Sequence, residues 1–307
     1  MLIAVDVIVR TRADSARSQQ LFRALDSIHD QRGITAWPIV VVNGERYDKA
    51  VFRMLENRAD VLLHYQQPAS AGLAKNIGRS KVTAPYFCFL DDDDYFIKDS
   101  LLQPLTWLDT HPACDVVVTN GYSVRDGKAE NELTHQANHV ASPALSFLDE
   151  NWLDPGAGFF RTQSINATLF DTLEDHHEWG YLAFSLCRKG KQLHFMDVPT
   201  VMYSADTFGS LSKIWAHREA ELKFLRFIHD NAGADRLLRR KAERKYRNAL
   251  HIMAWEYLKR GQPGRAWRYH LASLRPPYTF KYLMFSRKLL WWFGRQSIRA
   301  SRHPGAD

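Results

Sequence analysis

Four consecutive aspartates, Asp91 to Asp94, follow the apolar run Tyr86-Phe87-Cys88-Phe89-Leu90 and precede Tyr95-Phe96. Solvated acidic runs usually lie among Ser, Gly, Lys and Glu, whereas this one is clamped between residue types that pack in cores. Carboxylates held so close repel one another at low effective dielectric unless a cation, hydrogen bonds or a raised pKa relieves them. An oxygen-only ligand set favours Mg or Mn over softer metals. The competing reading, a helix N-terminus capped by Asp94 or Asp99, uses one or two of the acids and leaves the rest unexplained.

The run ends the fourth of a series of buried, strand-like segments. Ile3 to Val9 is a β-branched run, followed by a polar turn from Arg10 to Ser15 and a helix pattern with Leu21, Leu25 and Ile28 on one face. Pro38 to Val42 is a second strand ending at Asn43-Gly44, and Val51, Met54 and Leu55 mark a second helix. Val61 to Tyr65 is a third strand, a helix carrying Lys75 and Asn76 follows, and Tyr86 to Leu90 is the fourth. Short buried strands alternating with helices predict a parallel α/β sheet, which binds ligands at the carboxyl ends of its strands. Thr11-Arg12, Asn43-Gly44 and the aspartates stand at those ends. Further on, Asp115 to Tyr122 reads as a strand and Ser123 to Ser142 as a polar hairpin or loop. A helix is expected from His177 to Lys189, stopped by Gly190, before strand-like segments Leu193 to Pro199 and Val201 to Tyr203. From Trp215 onward the pattern is helical, broken by Gly261-Gln262-Pro263-Gly264 into a hairpin.

At 307 residues, 45% apolar and 24% charged, the chain has the composition of a globular protein large enough for a catalytic domain plus an extension. Cys88, Cys114 and Cys187 form no C-x-x-C pair and no disulfide framework, so a reducing compartment is the expectation. Met1 to Asp6 reads directly as a strand, without the basic and apolar regions of a signal peptide. No stretch is apolar for long enough to span a membrane as a helix. The net charge of +7 is unevenly spread: residues 213–307 hold 22 Lys and Arg against 7 Asp and Glu, whereas residues 1–212 hold 19 against 27. A basic, aromatic tail on an acidic body points to an anionic partner.

The ordered set of segments resembles the bacterial family 2 (family A) glycosyltransferases of GT-A fold. The segments that carry the likeness are Val9-Arg10-Thr11-Arg12, Ala24 to Ile28 with Gln31, Ile39 to Gly44, Gly72 to Gly78, Tyr86 to Asp94, Phe170-Asp171, Arg188-Lys189-Gly190 and Pro199 to Tyr203. They cover about the first 210 residues. The resemblance implies a Rossmann-like, mostly parallel sheet flanked by helices, with residues 1–212 as the catalytic domain and 213–307 as a basic helical extension. Residues 1–122 would hold the nucleotide sugar and 123–212 the acceptor. It also implies an inverting, metal-dependent transfer from a nucleotide-diphosphate sugar, UDP-linked by preference, to a hydroxyl of a saccharide or lipid-linked acceptor in surface polysaccharide synthesis.

Carried over residue by residue, the DXD-like run makes Asp93 a metal ligand and Asp91 and Asp92 donor contacts or part of the metal shell. Thr11 and Arg12 match first-loop positions that hold base and ribose. Asn43 stands where the family often carries an acid, which departs from the uridine-binding pattern. Lys75 matches a segment where its ammonium could meet phosphate or donor sugar; otherwise it is a solvated helix lysine. The general base falls in Glu174-Asp175-His176-His177-Glu178-Trp179: counting back from Gly190 reaches Glu178, while the acidic doublet itself matches Asp175. Those acids also favour a helix N-terminus, and the adjacent histidines point apart on a helix, as a zinc pair would not. Asp206 stands where the family commonly has a metal- or diphosphate-binding histidine, and its carboxylate could likewise ligate a hard cation.

The tail from Tyr278 to Arg295 interleaves aromatic and cationic residues, which suits an interfacial helix on an anionic leaflet or a core helix with Trp291 and Trp292 buried. The expected location is cytoplasmic, peripheral on the inner face of the cell membrane. Two other readings are an inactive nucleotide-sugar-binding protein of the same fold and a nucleic-acid-binding protein using the tail. The tail has no zinc-finger, RNA-recognition or helix-turn-helix signature, so no nucleic acid is expected.

Overall fold

β-branched residues set the first strand, β1 (Ile3–Thr11), whose Val5, Val7, Ile8 and Val9 are buried because both sheet faces are covered. The computed structural model describes residues 2–125, 128–134, 136–171, 176–204, 213–274 and 282–291. Two compact units divide the chain, Met1–Ser210 and Leu211–Asp307.

In the first unit, α1 (Ser18–His29) returns the chain to β2 (Ile34–Asn43), α2 (Lys49–Glu56) leads to β3 (Leu62–Gln66), and α3 (Ala71–Ser80) leads to β4 (Tyr86–Asp91). A short β5 (Tyr95–Phe96), α4 (Leu102–Thr110) and β6 (Val116–Arg125) follow. β7 (Lys128–Asn131), α5 (Gln136–Ala141), α6 (Pro143–Ser146), β8 (Gly158–Arg161), α7 (Glu178–Arg188) and β9 (Leu193–Tyr203) complete it. The sheet runs β3-β2-β1-β4-β8-β6-β9-β5, with β7 paired to β6. β3, β2, β1 and β4 are mutually parallel, β8 enters antiparallel between β4 and β6, and β9 returns parallel to β6. The expected α/β fold with its flanking helices is the one observed.

Helix α1 buries Leu21, Ala24, Leu25 and Ile28, an i, i+3, i+4, i+7 face, and each large side chain so buried contributes about 1.5–3 kcal/mol. Pro38 sits inside β2 without loss because β3 pairs only from Ile39 onward, so the missing N–H costs no ladder bond there. α3 lies close on β1 through Gly78, where an added Cβ would sit 2.3 Å from the Ile8 methyl. That approach brings Lys75, one turn earlier, to the carboxyl end of the sheet. Buried Asp6 accepts from the backbone N–H groups of Thr83 and Ala84 at 2.7 and 2.9 Å, fixing the entry into β4. The buried Gln31 amide donates to the carbonyls of Ser27 and Ile97 and accepts from the Leu101 N–H, tying α1 to the chain just after the aspartates.

The polar stretch after β6 forms the expected hairpin, β6 with β7. It also contains α5, whose His139 is fully buried between Ser146 and Glu150 at 2.9 and 2.8 Å, which the polar composition does not announce. The segments expected on either side of Thr200 are one continuous strand, β9.

The second unit is helical: α8 (Lys213–Asn231), α9 (Arg236–Lys259), α10 (Pro263–Ser273) and a further helix, α11, over residues 282–291. Asp235 caps α9 by accepting from the Leu238 N–H at 2.9 Å, and Pro263 opens α10 where its missing N–H has no helical partner to lose. Leu250, Met253, Ala254 and Tyr257 of α9 are buried, while Arg239, Arg240 and Arg244 are exposed. None of the described helices is long and apolar enough to cross a membrane.

Candidate active site at the carboxyl edge of the sheet

β4 ends at Asp91, and a turn closed by the Asp94 N–H on the Asp91 carbonyl at 3.2 Å folds the four aspartates back on themselves. Carboxylate oxygens of Asp91, Asp93 and Asp94 lie within 4.8 Å of one another. Asp92 turns the other way: it accepts the Thr11 hydroxyl at 2.6 Å and faces the Arg17 guanidinium at 3.4 Å. The same guanidinium lies 3.4 Å from Asp93, and Arg10 lies 3.8 Å from Asp91. Asp94 is buried and accepts the Ser204 N–H at 2.9 Å, which anchors the turn to the end of β9. Arg23, stacked over the Tyr95 ring, donates to the Asp93 carbonyl at 3.2 Å and to Ser204.

The electrostatics of this turn are unfinished. Burial, reinforced by the neighbouring carboxylates, pushes Asp94 up to about 8 despite the hydrogen bond from Ser204. Burial also raises Asp92, against the hydroxyl of Thr11 and the charge of Arg17. Half-buried Asp154, on the loop before β8, is pushed up to about 7 by burial and by Glu132 and Asp91. Gly156 makes the approach of this loop possible: its φ of +78° suits glycine, and a Cβ there would meet Val201 at 2.6 Å. Three clustered carboxylates with a buried member and only oxygen donors fit a hard divalent cation.

A second cluster comes from α3 and α7. Lys75 and Glu178, 3% and 9% exposed, form an ion pair at 3.3 Å, with the Lys75 ammonium 5.2 Å over the Trp179 ring. Burial lowers the lysine pKa, opposed mainly by Glu178. Removing one partner of such a pair strands the other and costs about 3–5 kcal/mol. Glu178 is the first residue of α7, so its charge also favours the helix N-terminus. Beside it, Asn76 donates to Asp171, and Asn43 accepts the N–H of Ser70 at 3.0 Å, the residue that caps α3. The end of β2 and the helix carrying Lys75 are thereby tied together. Arg12 is exposed and pairs with Asp14 at 2.9 Å. Asp175 and Asp206 lie outside the described residues.

The structure thus brings Thr11, Asp91, Asp92 and Asp93 into one cluster and Lys75 with Glu178 into another. Arg17, Arg23, Ser204 and Asp154 are the site residues that sequence reasoning missed. The only advance signal for the arginines is the density of cations from Arg10 to Arg23 in an otherwise acidic half of the chain.

The sequence model for glycosyl transferase family 2 matches residues 7–176, more than half of the chain, a span that includes Thr11, Lys75 and the four aspartates and stops just short of Glu178. The chain belongs to glycosyl transferase family 2. This family 2 glycosyltransferase shares its fold with the crystal structure of residues 1–349 of S. aureus TarS. The two superpose with a TM-score of 0.52 at 16% identity, covering 81% of this chain and 71% of that one. The same TarS fragment in complex with UDP-GlcNAc gives a TM-score of 0.54 at 17% identity, over 81% and 72% of the two chains. No curated protein matches the glycosyltransferase by sequence. As a member of the family, it is a glycosyltransferase.

Proposed function

We propose that this glycosyltransferase moves a sugar, with inversion, from a nucleoside-diphosphate donor to a hydroxyl of a saccharide or lipid-linked acceptor in surface polysaccharide synthesis, using Mg or Mn. The observation that carries the reading is the set of Asp91, Asp93 and Asp94 oxygens within 4.8 Å at the carboxyl end of β4. A UDP-linked donor is favoured by the UDP-GlcNAc complex of the structural neighbour.

Asp91, Asp93 and Asp94 hold the divalent cation in this reading, which when bound neutralises the charge that grows on the departing diphosphate. Thr11 and Arg17 fix Asp92, and with it the shape of the turn, through contacts at 2.6 and 3.4 Å. Arg12, exposed at the end of β1, reaches toward the nucleoside. Lys75 keeps the Glu178 carboxylate at the wall of the same edge, 3.3 Å away. The acceptor hydroxyl attacks the anomeric carbon opposite the diphosphate and gives its proton to a carboxylate of the 175–178 segment, Glu178 or Asp175. A neutral amide at the true base removes proton acceptance and leaves donor binding in place.

Steady-state transfer with E178Q and D175N, on a donor established by thermal-shift screening with Mn, separates the two. The base variant is expected to lose about 10²–10⁴-fold in kcat with little change in donor KM. Equal, small losses in both would remove this segment from the chemistry. Because E178Q also takes the counter-charge from Lys75, its unfolding midpoint is measured alongside.

A further inference from the structure

Residues 257–306 contain eleven Lys and Arg and no Asp or Glu. Within that stretch α11, at 282–291, packs on its own unit through one face among the described residues. Tyr282, Phe285 and Leu289, spaced i, i+3, i+7, are buried at 4%, 5% and 0%. Tyr282 donates to Asn248 at 3.2 Å and stacks on His251, Phe285 packs edge-on against His251 and Trp255, and Ser286 meets His270 at 2.7 Å. These contacts fix how the helix is rotated about its axis.

The rotation leaves two parallel stripes outward. One reads Leu283, Arg287, Leu290 and the other Met284, Lys288, Trp291, each at i, i+4, i+7 and each exposed along its length. Leu290 and Trp291 are 62% and 59% exposed. α9 extends the second stripe with Trp255, whose ring carries the Lys288 ammonium at 4.5 Å and the Lys259 ammonium at 5.5 Å. Each stripe therefore alternates apolar, cationic and apolar side chains. Tyr282, Phe285 and Leu289 supply the buried face of the helix, while Leu283, Met284 and Leu290 are large apolar side chains left exposed.

We infer that this face of α9 and α11 docks the second unit onto an anionic lipid leaflet. The apolar side chains reach the acyl boundary, while Arg287, Lys288 and Lys259 remain at the level of the phosphates. Charge complementarity selects the occupant: residues 257–306 carry no carboxylate, and Glu256 beside the face is paired with Lys259 at 2.9 Å, so Arg287 and Lys288 are left to meet anionic headgroups. A nucleic acid would use the cations alone and leave Leu283, Met284 and Leu290 in water. The inference does not depend on which sugar or acceptor the first unit uses.

The test is co-sedimentation of the full chain with vesicles of phosphatidylcholine alone and of phosphatidylcholine with about one-third phosphatidylglycerol, at near-physiological salt. Binding is expected to the anionic vesicles and not to the neutral ones. L283N/L290N and R287Q/K288Q should each lower the partition about tenfold or more, with unchanged helicity and unfolding midpoint. Equal binding to both vesicle types, or full retention by L283N/L290N, overturns the inference. So does a duplex oligonucleotide that binds wild type and L283N/L290N equally while anionic vesicles do not bind.

Discussion

Two groups of aspartates in the first unit live under opposite conditions. At the rim, Asp60 is gripped by Arg58 and Asp99 by Arg32, and both are pulled down to about 2 by those guanidinium hydrogen bonds. At the end of β4, Asp94 is pushed up to about 8 by burial and like charge, and Asp92 is raised for the same reasons. The rim acids are each held by a guanidinium at hydrogen-bond distance, whereas Asp91, Asp92 and Asp93 of the turn meet Arg10 and Arg17 only at 3.4–3.8 Å and burial still raises Asp92 and Asp94. Raised carboxylates of this kind are more often found at functional sites than in structural ion pairs, which is why the proposed cation is assigned to the turn and not to the rim.

The largest break in this comparison is D94N. It keeps an acceptor for the Ser204 N–H but removes one carboxylate of the cluster, and transfer is expected to fall about 10²-fold or more. In metal-free buffer at pH 8 the same variant should unfold at a higher temperature than wild type. A D94N enzyme with normal kcat would show that the cluster does no chemistry.

A pH series sharpens the contrast. Asp94 binds its proton more tightly folded than unfolded, so the folded state holds more protons between about pH 4 and 8 and metal-free stability should fall as pH rises through that window. The depressed Asp60 and Asp99 act in the opposite sense: their contribution is present above about pH 4 and is lost as pH falls toward 2. Unfolding midpoints from pH 5 to 8, with EDTA and with Mn, should show the decline in EDTA and its flattening by Mn. A flat profile in EDTA would contradict the strained turn. The smallest effect is expected for D60N, a slight loss of midpoint at neutral pH that fades with salt, because its ion pair is at the surface.

Much of the parallel half of the fold was legible because its strands are buried on both faces and read as short β-branched or aromatic runs, as in β1 and β4. The aspartate run stood out for the same reason, as charge between core residues. β8 escaped notice because Gly158-Phe159-Phe160-Arg161 is short and joins the sheet antiparallel, through partners forty or more residues away in β6 and over seventy in β4. α5 escaped because a polar composition hid one buried histidine. The roles of Arg17 and Ser204 depend on contacts spanning 75 and 110 residues, to Asp92 and Asp94, which no local pattern encodes. Lys75 and Glu178 were singled out separately; that they face each other across 103 residues is a product of the tertiary fold.

The central claim is that the turn at Asp91 to Asp94 binds a nucleoside diphosphate through a divalent cation. Calorimetric titration of UDP into wild type and D93A, each with Mn and with EDTA, tests it most directly. The expected result is tight binding to wild type with Mn, at least about tenfold weaker binding with EDTA, and no gain from Mn in D93A. UDP binding of equal strength in all four titrations would contradict it.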